Sequence, residues 1–263
     1  MVTSISRSDR IMGLVGQSKA GLTHSEINAR LRFPKSSLSR ILATLVDLQY
    51  LTSNPLNKKY LLGPKLLALT GEYLSGLDIF KVGKGFVGEL AQQTGETVTL
   101  AIANQWEMFV VAIENVPDTI IRAPRVGFHM PFYATAVGKA VMAFRPEAAI
   151  AQYLSSTELV PFTPHTITDK ALIKLELEAV RKEGVAYCRE GFREYVVALG
   201  VPIFDYRSEA VASLSVSMLS LQVTRDKEKK IRQMLCSTAQ KISQKMGYER
   251  LPESKNGNKG VMS

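Results

Sequence analysis

The strongest constraint on this chain lies in its first 62 residues, where four short elements follow one another with little linking sequence. Residues 8–17 (SDRIMGLVGQ) predict a weak helix: Ile11, Leu14 and Val15 share one side, and Gly13 and Gly16 lower its propensity. In AGLTHSEINARL, Thr23 followed by Glu26 is a capping box ahead of an apolar stripe at Ile27 and Leu31. Arg32-Phe33-Pro34 then turns the chain into PKSSLSRILATL (34–45). Proline suits a helix start because its missing N–H would have no partner there, and Leu38, Ile41, Leu42 and Leu45 give the helical period. YLTSNPLNKKYLLG has two apolar runs around Asn-Pro and Asn-Lys-Lys, which predicts a small hairpin. Helix, short helix, tight turn, helix and hairpin together describe a helix-turn-helix with a wing.

Charge adds a second constraint. The net charge is +9 over 263 residues. Residues 1–75 hold ten Lys or Arg against four Asp or Glu, whereas 76–249 hold twenty against nineteen. A small basic unit beside a large neutral one suits a nucleic-acid reader joined to something else. The opening turns of the third helix carry Lys35, Ser36, Ser37, Ser39 and Arg40, and Thr44 extends that face. A helix fits the major groove, where Arg grips guanine with two hydrogen bonds and Ser or Thr reaches bases or phosphates. The plain alternative is a solvated helix face. Its place in the helix-turn-helix order favours DNA. Lys58 and Lys59 in the hairpin suit phosphate contact, which adds affinity more than specificity.

Beyond Leu62 the pattern changes. PKLLALTGEYLSG (64–76) predicts a connecting helix too apolar to stand alone; a partner chain is expected against it, the alternative being packing within its own chain. Residues 78–249 alternate helix and strand. DIFKVGKGFVGELAQQTG ends on a Gly95 C-cap; ETVTLAIAN and EMFVVAIEN form a hairpin at Gln105-Trp106; TIIRA (119–123) adds a candidate third strand. ATAVGKAVMAF and DKALIKLELEAVRKEG read as helices, the latter capped by Thr168 or Asp169. VVALGVPIFD and AVASLSVSM read as paired strands turning at Tyr206-Arg207-Ser208, and 224–246 as a final helix. Hairpin-joined strands with helices outside define an α+β domain around an antiparallel sheet. The expected organisation is a reader over 1–62, a linker helix over 63–77, an α+β domain over 78–249 and a disordered tail over 250–263.

Several chemistries lack their residues. Two cysteines, Cys188 and Cys236, make no disulfide framework. No apolar run approaches the length of a membrane span, and MVTSISRSDR lacks the apolar core of a signal peptide, so a cytoplasmic protein is expected. His129 and His165 have no metal-ligand neighbours at suitable spacing, and no GxGxxG, P-loop or GxSxG occurs. Glu190 and Glu194 lie in a charged stretch where solvation explains them. No catalytic residue, metal or cofactor is expected. An enzyme with an accessory nucleic-acid domain is the alternative from another class.

A binding pocket is easier to argue. Thr135 reads as the N-cap of a helix opening Ala136-Val137-Gly138, a start whose N–H groups favour an anion. Alternation on ASLSVS sets Ser213, Ser215 and Ser217 on one face, lining a pocket or facing water.

In their order and spacing, GLTHSEINARLRFPKSSLSRILATL, YLLGPKLLALT, MPFYATAVGKAVMAF, FTPHTITD and VPIFD with ASLSVS resemble the IclR family of bacterial transcriptional regulators. The likeness runs over residues 8–248. It implies a winged helix-turn-helix, a linker helix and a sensor domain of GAF/profilin-like fold. It also implies a homodimer or dimer of dimers on a roughly palindromic double-stranded operator near catabolic genes, and a small-molecule effector. The family's DNA contacts fall on Lys35 to Arg40 and the wing, with Thr23 at the start of the preceding helix. Its effector pocket falls on Ala136 and Val137 beside Thr135, on segment 188–198 (Cys188, Tyr195, Ala198), and on Ser215 and Ser217. Where many members carry an acidic run, this chain reads Cys188-Arg189-Glu190-Gly191-Phe192-Arg193. Tyr195 stands where many have Gly, and Ala198 where many have Cys. The expectation is an anionic effector, such as a sugar acid, and an added aromatic ring at the site.

Overall fold

The computed structural model describes residues 3–115 and 124–249. The candidate strand at 119–123 and the 250–263 tail lie outside them. The chain divides into two compact units, Met1–Gly76 and Leu77–Ser263.

The first unit runs α1 (Thr3–Gly16), β1 (Leu22–Thr23), α2 (His24–Leu31), α3 (Lys35–Asp47), β2 (Leu51–Asn54), β3 (Lys59–Leu62) and α4 (Pro64–Gly76). The first helix begins five residues earlier than its apolar pattern indicates. The two-residue β1 escaped the sequence because so short a strand has no periodicity to read; it pairs with β3, giving an antiparallel order β1-β3-β2. Ile11, Val15, Leu22, Ile27, Phe33, Leu38, Leu42, Leu45 and Leu51 form the core. Burying such a set is what holds a unit this small together. Thr23 caps α2 with the full capping box expected from Glu26, and Arg32 ends that helix in the left-handed region at φ 53°. Helix α4 closes this unit in the chain and buries none of its residues: Leu67 is 77% exposed and Tyr73 57%.

The second unit runs α5 (Asp78–Thr94), β4 (Thr97–Asn104), β5 (Glu107–Glu114), β6 (His129–Pro131), α6 (Ala136–Met142), α7 (Glu147–Ser156), α8 (Lys170–Glu183), β7 (Ala186–Arg189), β8 (Val196–Phe204), β9 (Ala210–Leu219) and α9 (Arg225–Lys245). Its six strands pair antiparallel in the order β6-β5-β4-β9-β8-β7. This is the α+β architecture expected. β6, α7 and β7 were not read from the sequence. Asp169, not Thr168, caps α8, accepting from the N–H groups of Ala171 and Leu172.

Helices α5 and α9 cover one face of the sheet, where Leu100 of β4 packs on Gly83. Helix α6 covers the other. Its approach is close because two glycines permit it: a Cβ on Gly200 of β8 would lie 2.5 Å from the Ala136 carbonyl oxygen, and one on Gly138 would lie 2.4 Å from Phe132 Cα. The serine row of β9 therefore does not face water. Ser213 is fully buried and donates to the Val201 carbonyl at 2.8 Å, and Ser215 is buried as well.

Candidate nucleic-acid interface and ligand cavity

Helix α3 buries Leu38, Leu42 and Leu45 and turns Ser36, Arg40, Ala43, Thr44 and Asp47 outward, with Lys35 exposed on its first turn. The residues named for DNA contact divide by what already holds them. Lys35, Ser36 and Arg40 make no side-chain hydrogen bond or ion pair among the described residues. Ser37 accepts from Arg7 Nη1 at 2.9 Å. Ser39 donates to the Lys35 carbonyl and sits 3.0 Å from His24 Nε2. Its single proton is thereby used, so His24 Nε2 is the donor in that contact. Thr44 donates back to the Arg40 carbonyl. Thr23 is engaged by Glu26 through both its N–H and its hydroxyl, and these bonds, the N–H foremost, hold the Glu26 carboxyl below its usual range. Ser36 and Arg40 thus keep their side-chain donors unengaged among the described residues, while Thr23, Ser37 and Ser39 are held by hydrogen bonds within the unit. In the wing, Lys58 lies exposed at the tip with φ 53°, and Lys59 opens β3, half-buried.

The second unit holds a cavity between α6 and the sheet, with about 600 Å³ of space not filled by protein, its mouth included. Strand register builds its floor. Cys188, Ala198, Ser217 and Thr97 stand side by side across four strands, and Gly200, Ser215 and Thr99 form the next row. Four hydroxyl residues of the sheet, Thr97, Thr99, Ser215 and Ser217, line the floor, and Thr135 borders the cavity from the start of α6. The Thr97 hydroxyl is buried without a hydrogen-bond partner among the described residues, which is costly unless something fills the need. Ala136 and Val137 border the cavity from α6; Met130, Pro124, Phe192, Arg193 and Val196 complete it.

Electrostatics differ from the sequence reading. α6 has only seven residues, and the Gly138 N–H is already taken by the Thr135 hydroxyl, which itself donates to the Pro131 carbonyl. The charged group in the lining is instead Arg193, its guanidinium 5.8 and 5.9 Å from the Phe128 and Phe192 rings. The loop bearing it is braced from FTPHTITD: Thr163 donates to the Glu190 carbonyl at 2.7 Å and Thr166 to that of Gly191 at 2.6 Å. Cys188 donates its thiol to the Ala134 carbonyl, and burial pushes that thiol up.

Seven of the eight residues named for the effector border this cavity: Thr135, Ala136, Val137, Cys188, Ala198, Ser215 and Ser217. Tyr195 does not. It sits at a left-handed turn, φ 61°, and is 62% exposed, so the added ring points away; Phe192 supplies the aromatic wall. Thr97 and Thr99 were missed, although TVT on β4 carries the same hydroxyl alternation as SVS on β9. Among the described residues no cluster of three metal-ligating side chains occurs, and no helix is long and apolar enough to cross a membrane.

A winged helix-turn-helix joined to a sheet domain with a hydroxyl-floored cavity defines a ligand-responsive DNA-binding regulator. The IclR helix-turn-helix domain matches residues 4–55, and the bacterial transcriptional regulator IclR C-terminal domain matches 71–244. The chain belongs to the IclR family. It is 29% identical over 249 residues to the HTH-type transcriptional regulator XynR of Escherichia coli (strain K12), covering 94% of this chain and 98% of XynR. The crystal structure of Thermotoga maritima IclR superposes with a TM-score of 0.80 at 28% identity, covering 94% of this chain and all of that one. An IclR homologue from Microbacterium hydrocarbonoxydans complexed with 4-hydroxybenzoate shares the fold, with a TM-score of 0.79 at 20% identity over 93% and 99% of the two chains. These relatives are named regulators, and this chain is a DNA-binding regulator, not an enzyme.

Proposed function

We propose that the chain binds a small organic acid in the cavity of its C-terminal unit, a hydroxylated or sugar acid foremost. On this reading the acid controls occupancy of a roughly palindromic operator at catabolic or transport genes. The observation that carries the ligand class is Arg193, a cation at the wall of a cavity floored by four hydroxyls. The carboxylate pairs with the guanidinium, and ligand hydroxyls meet Thr97, Thr99, Ser215 and Ser217. The 4-hydroxybenzoate held by the Microbacterium homologue supports an acid in this fold and makes aromatic acids the natural competitors. Titration calorimetry with sugar acids, aromatic acids and their neutral amides tests the reading. Sugar acids are expected to bind, and Arg193→Gln to lose about 10–100-fold in affinity, the worth of one charged hydrogen bond. Binding of the neutral amides alone would sink it.

The reader acts as a homodimer or dimer of dimers, with the linker helix within 63–77 meeting its counterpart. The exposure of Leu67, Leu69 and Tyr73 on α4 supports this. Each α3 then enters a major groove one or more whole helical turns from its mate. Arg40→Ala is expected to cost about 1–3 kcal/mol on the operator and to relax specificity at one position. Fluorescence anisotropy against operator and scrambled duplexes measures both. An unchanged preference would remove Arg40 from base reading.

A further inference from the structure

We propose that Arg7 and Arg10 of α1 form a phosphate-binding pair that extends the DNA footprint beyond α3 and the wing. The proposal rests on the DNA-binding reading of the first unit and assigns a contact that this reading does not contain.

The two arginines lie three residues apart, on one face of α1. Both guanidinium groups lie over one ring: Arg7 Cζ is 5.3 Å and Arg10 Cζ 5.1 Å from the centroid of Phe33. Phe33 is 9% exposed and belongs to the core, so the platform is fixed. It is also the residue that leads through Pro34 into the recognition helix. Arg7 is tied to that helix directly, through Nη1 to Ser37 Oγ at 2.9 Å. Ser37 adjoins Ser36, the first of the outward row on α3. The pair therefore flanks the edge of the base-reading face, where a helix seated in the major groove meets the bordering phosphates.

Charge points to the ligand. Two like charges are gathered on one ring, and among the described residues no carboxylate forms an ion pair with either. Arg7 has spent one of its five N–H donors, and among the same residues the Arg10 side chain has no hydrogen bond. Cation–π contact offsets little of the mutual repulsion at an exposed site. A phosphodiester offsets it fully, because guanidinium N–H groups match phosphate oxygens in pairs. Stacking on Phe33 also holds both groups in place before DNA arrives, which lowers the ordering cost of binding.

The test uses the full chain and a mixed-sequence duplex of about three helical turns, long enough for two half-sites. Fluorescence anisotropy across a salt series gives the slope of log affinity against log salt for the wild type, Arg10→Gln, Arg7→Gln and the double variant. Each phosphate left without its cation lowers the slope by about 0.9. On two half-sites each substitution removes two cations, one from each protomer, so the expected change is about 1.8 per single variant and about 3.6 in the double, with the preference for operator over scrambled sequence unchanged. Arg10→Lys keeps the charge and most of the slope. Thermal melts run alongside. Among the described residues the Arg10 side chain holds no hydrogen bond, so Arg10→Gln folds even where the Arg7 variant does not. A steep wild-type slope left intact in Arg10→Gln and in the double variant would overturn the pair and leave the DNA reading standing. A wild type with no salt-dependent binding would overturn both.

Discussion

Leu38→Ala is expected to unfold the reader and leave the sensor intact. Leu38 is fully buried on the inner face of α3, in a core of nine residues. Truncating a buried leucine costs about 2–5 kcal/mol, because the site cannot close over the missing atoms. A unit of this length has a total stability of only about 4–11 kcal/mol at ordinary values per residue. The variant thus loses a large share of what holds the unit folded. In a domain this small each kcal/mol moves the midpoint by about 4–8 °C, so a fall of about 8–40 °C follows. Calorimetry should show a low transition that drops and a high transition that stays. Ligand binding should survive at temperatures where DNA binding has gone. A joint shift of both transitions would show that the two units do not melt separately.

Gly138→Val acts on the other unit. The three atoms nearest an added Cβ are all backbone of Phe132, at 2.4, 2.5 and 2.8 Å. No flexible side chain is there to swing aside, so α6 must lift from the segment beneath it. Overpacking of this kind costs about 3 kcal/mol, the upper end of its usual range. For a domain of this size that is about 6–12 °C in the upper midpoint. Because Ala136 and Val137 border the cavity from the same helix, effector affinity should fall too. Gly85→Ala is the control: its Cβ meets nothing within 4 Å on α5, and the gain in helix propensity should stabilise by about 0.5–1 kcal/mol. Equal effects at the two glycines would show that close approach is not what Gly138 provides.

How far the residues could be read in advance follows from the range of the interactions. The Thr23–Glu26 box, the Pro34 start and the Leu38-Leu42-Leu45 stripe act within a few residues of one another. Each was therefore visible as a pattern, and the reader followed from their order. The cavity obeys a different range. Thr97 and Ser217 are neighbours because β4 pairs with β9, strands far apart in the chain, and Cys188 joins their row only through β7 and β8. Side-chain alternation marked Ser215 and Ser217 as sharing a face but did not say which face, or what stood opposite.

The turn at 190–195 illustrates the limit. Tyr195 and Arg193 are two residues apart in one loop, and by composition either could border a ligand. A left-handed backbone at Tyr195 sends its ring outward, while Phe128 and Phe192 hold the guanidinium of Arg193 at the cavity wall. The amino-acid sequence by itself determined most of the longer elements, the basic reader and the family, since period, capping and charge are local properties of the chain. Only the tertiary structure decided which hydroxyls share the floor, which hydroxyls of the reader are already engaged, and which cation stands at the cavity wall. Those outcomes depend on strand register and on backbone angles at single residues, both settled by packing between segments that the linear order keeps apart.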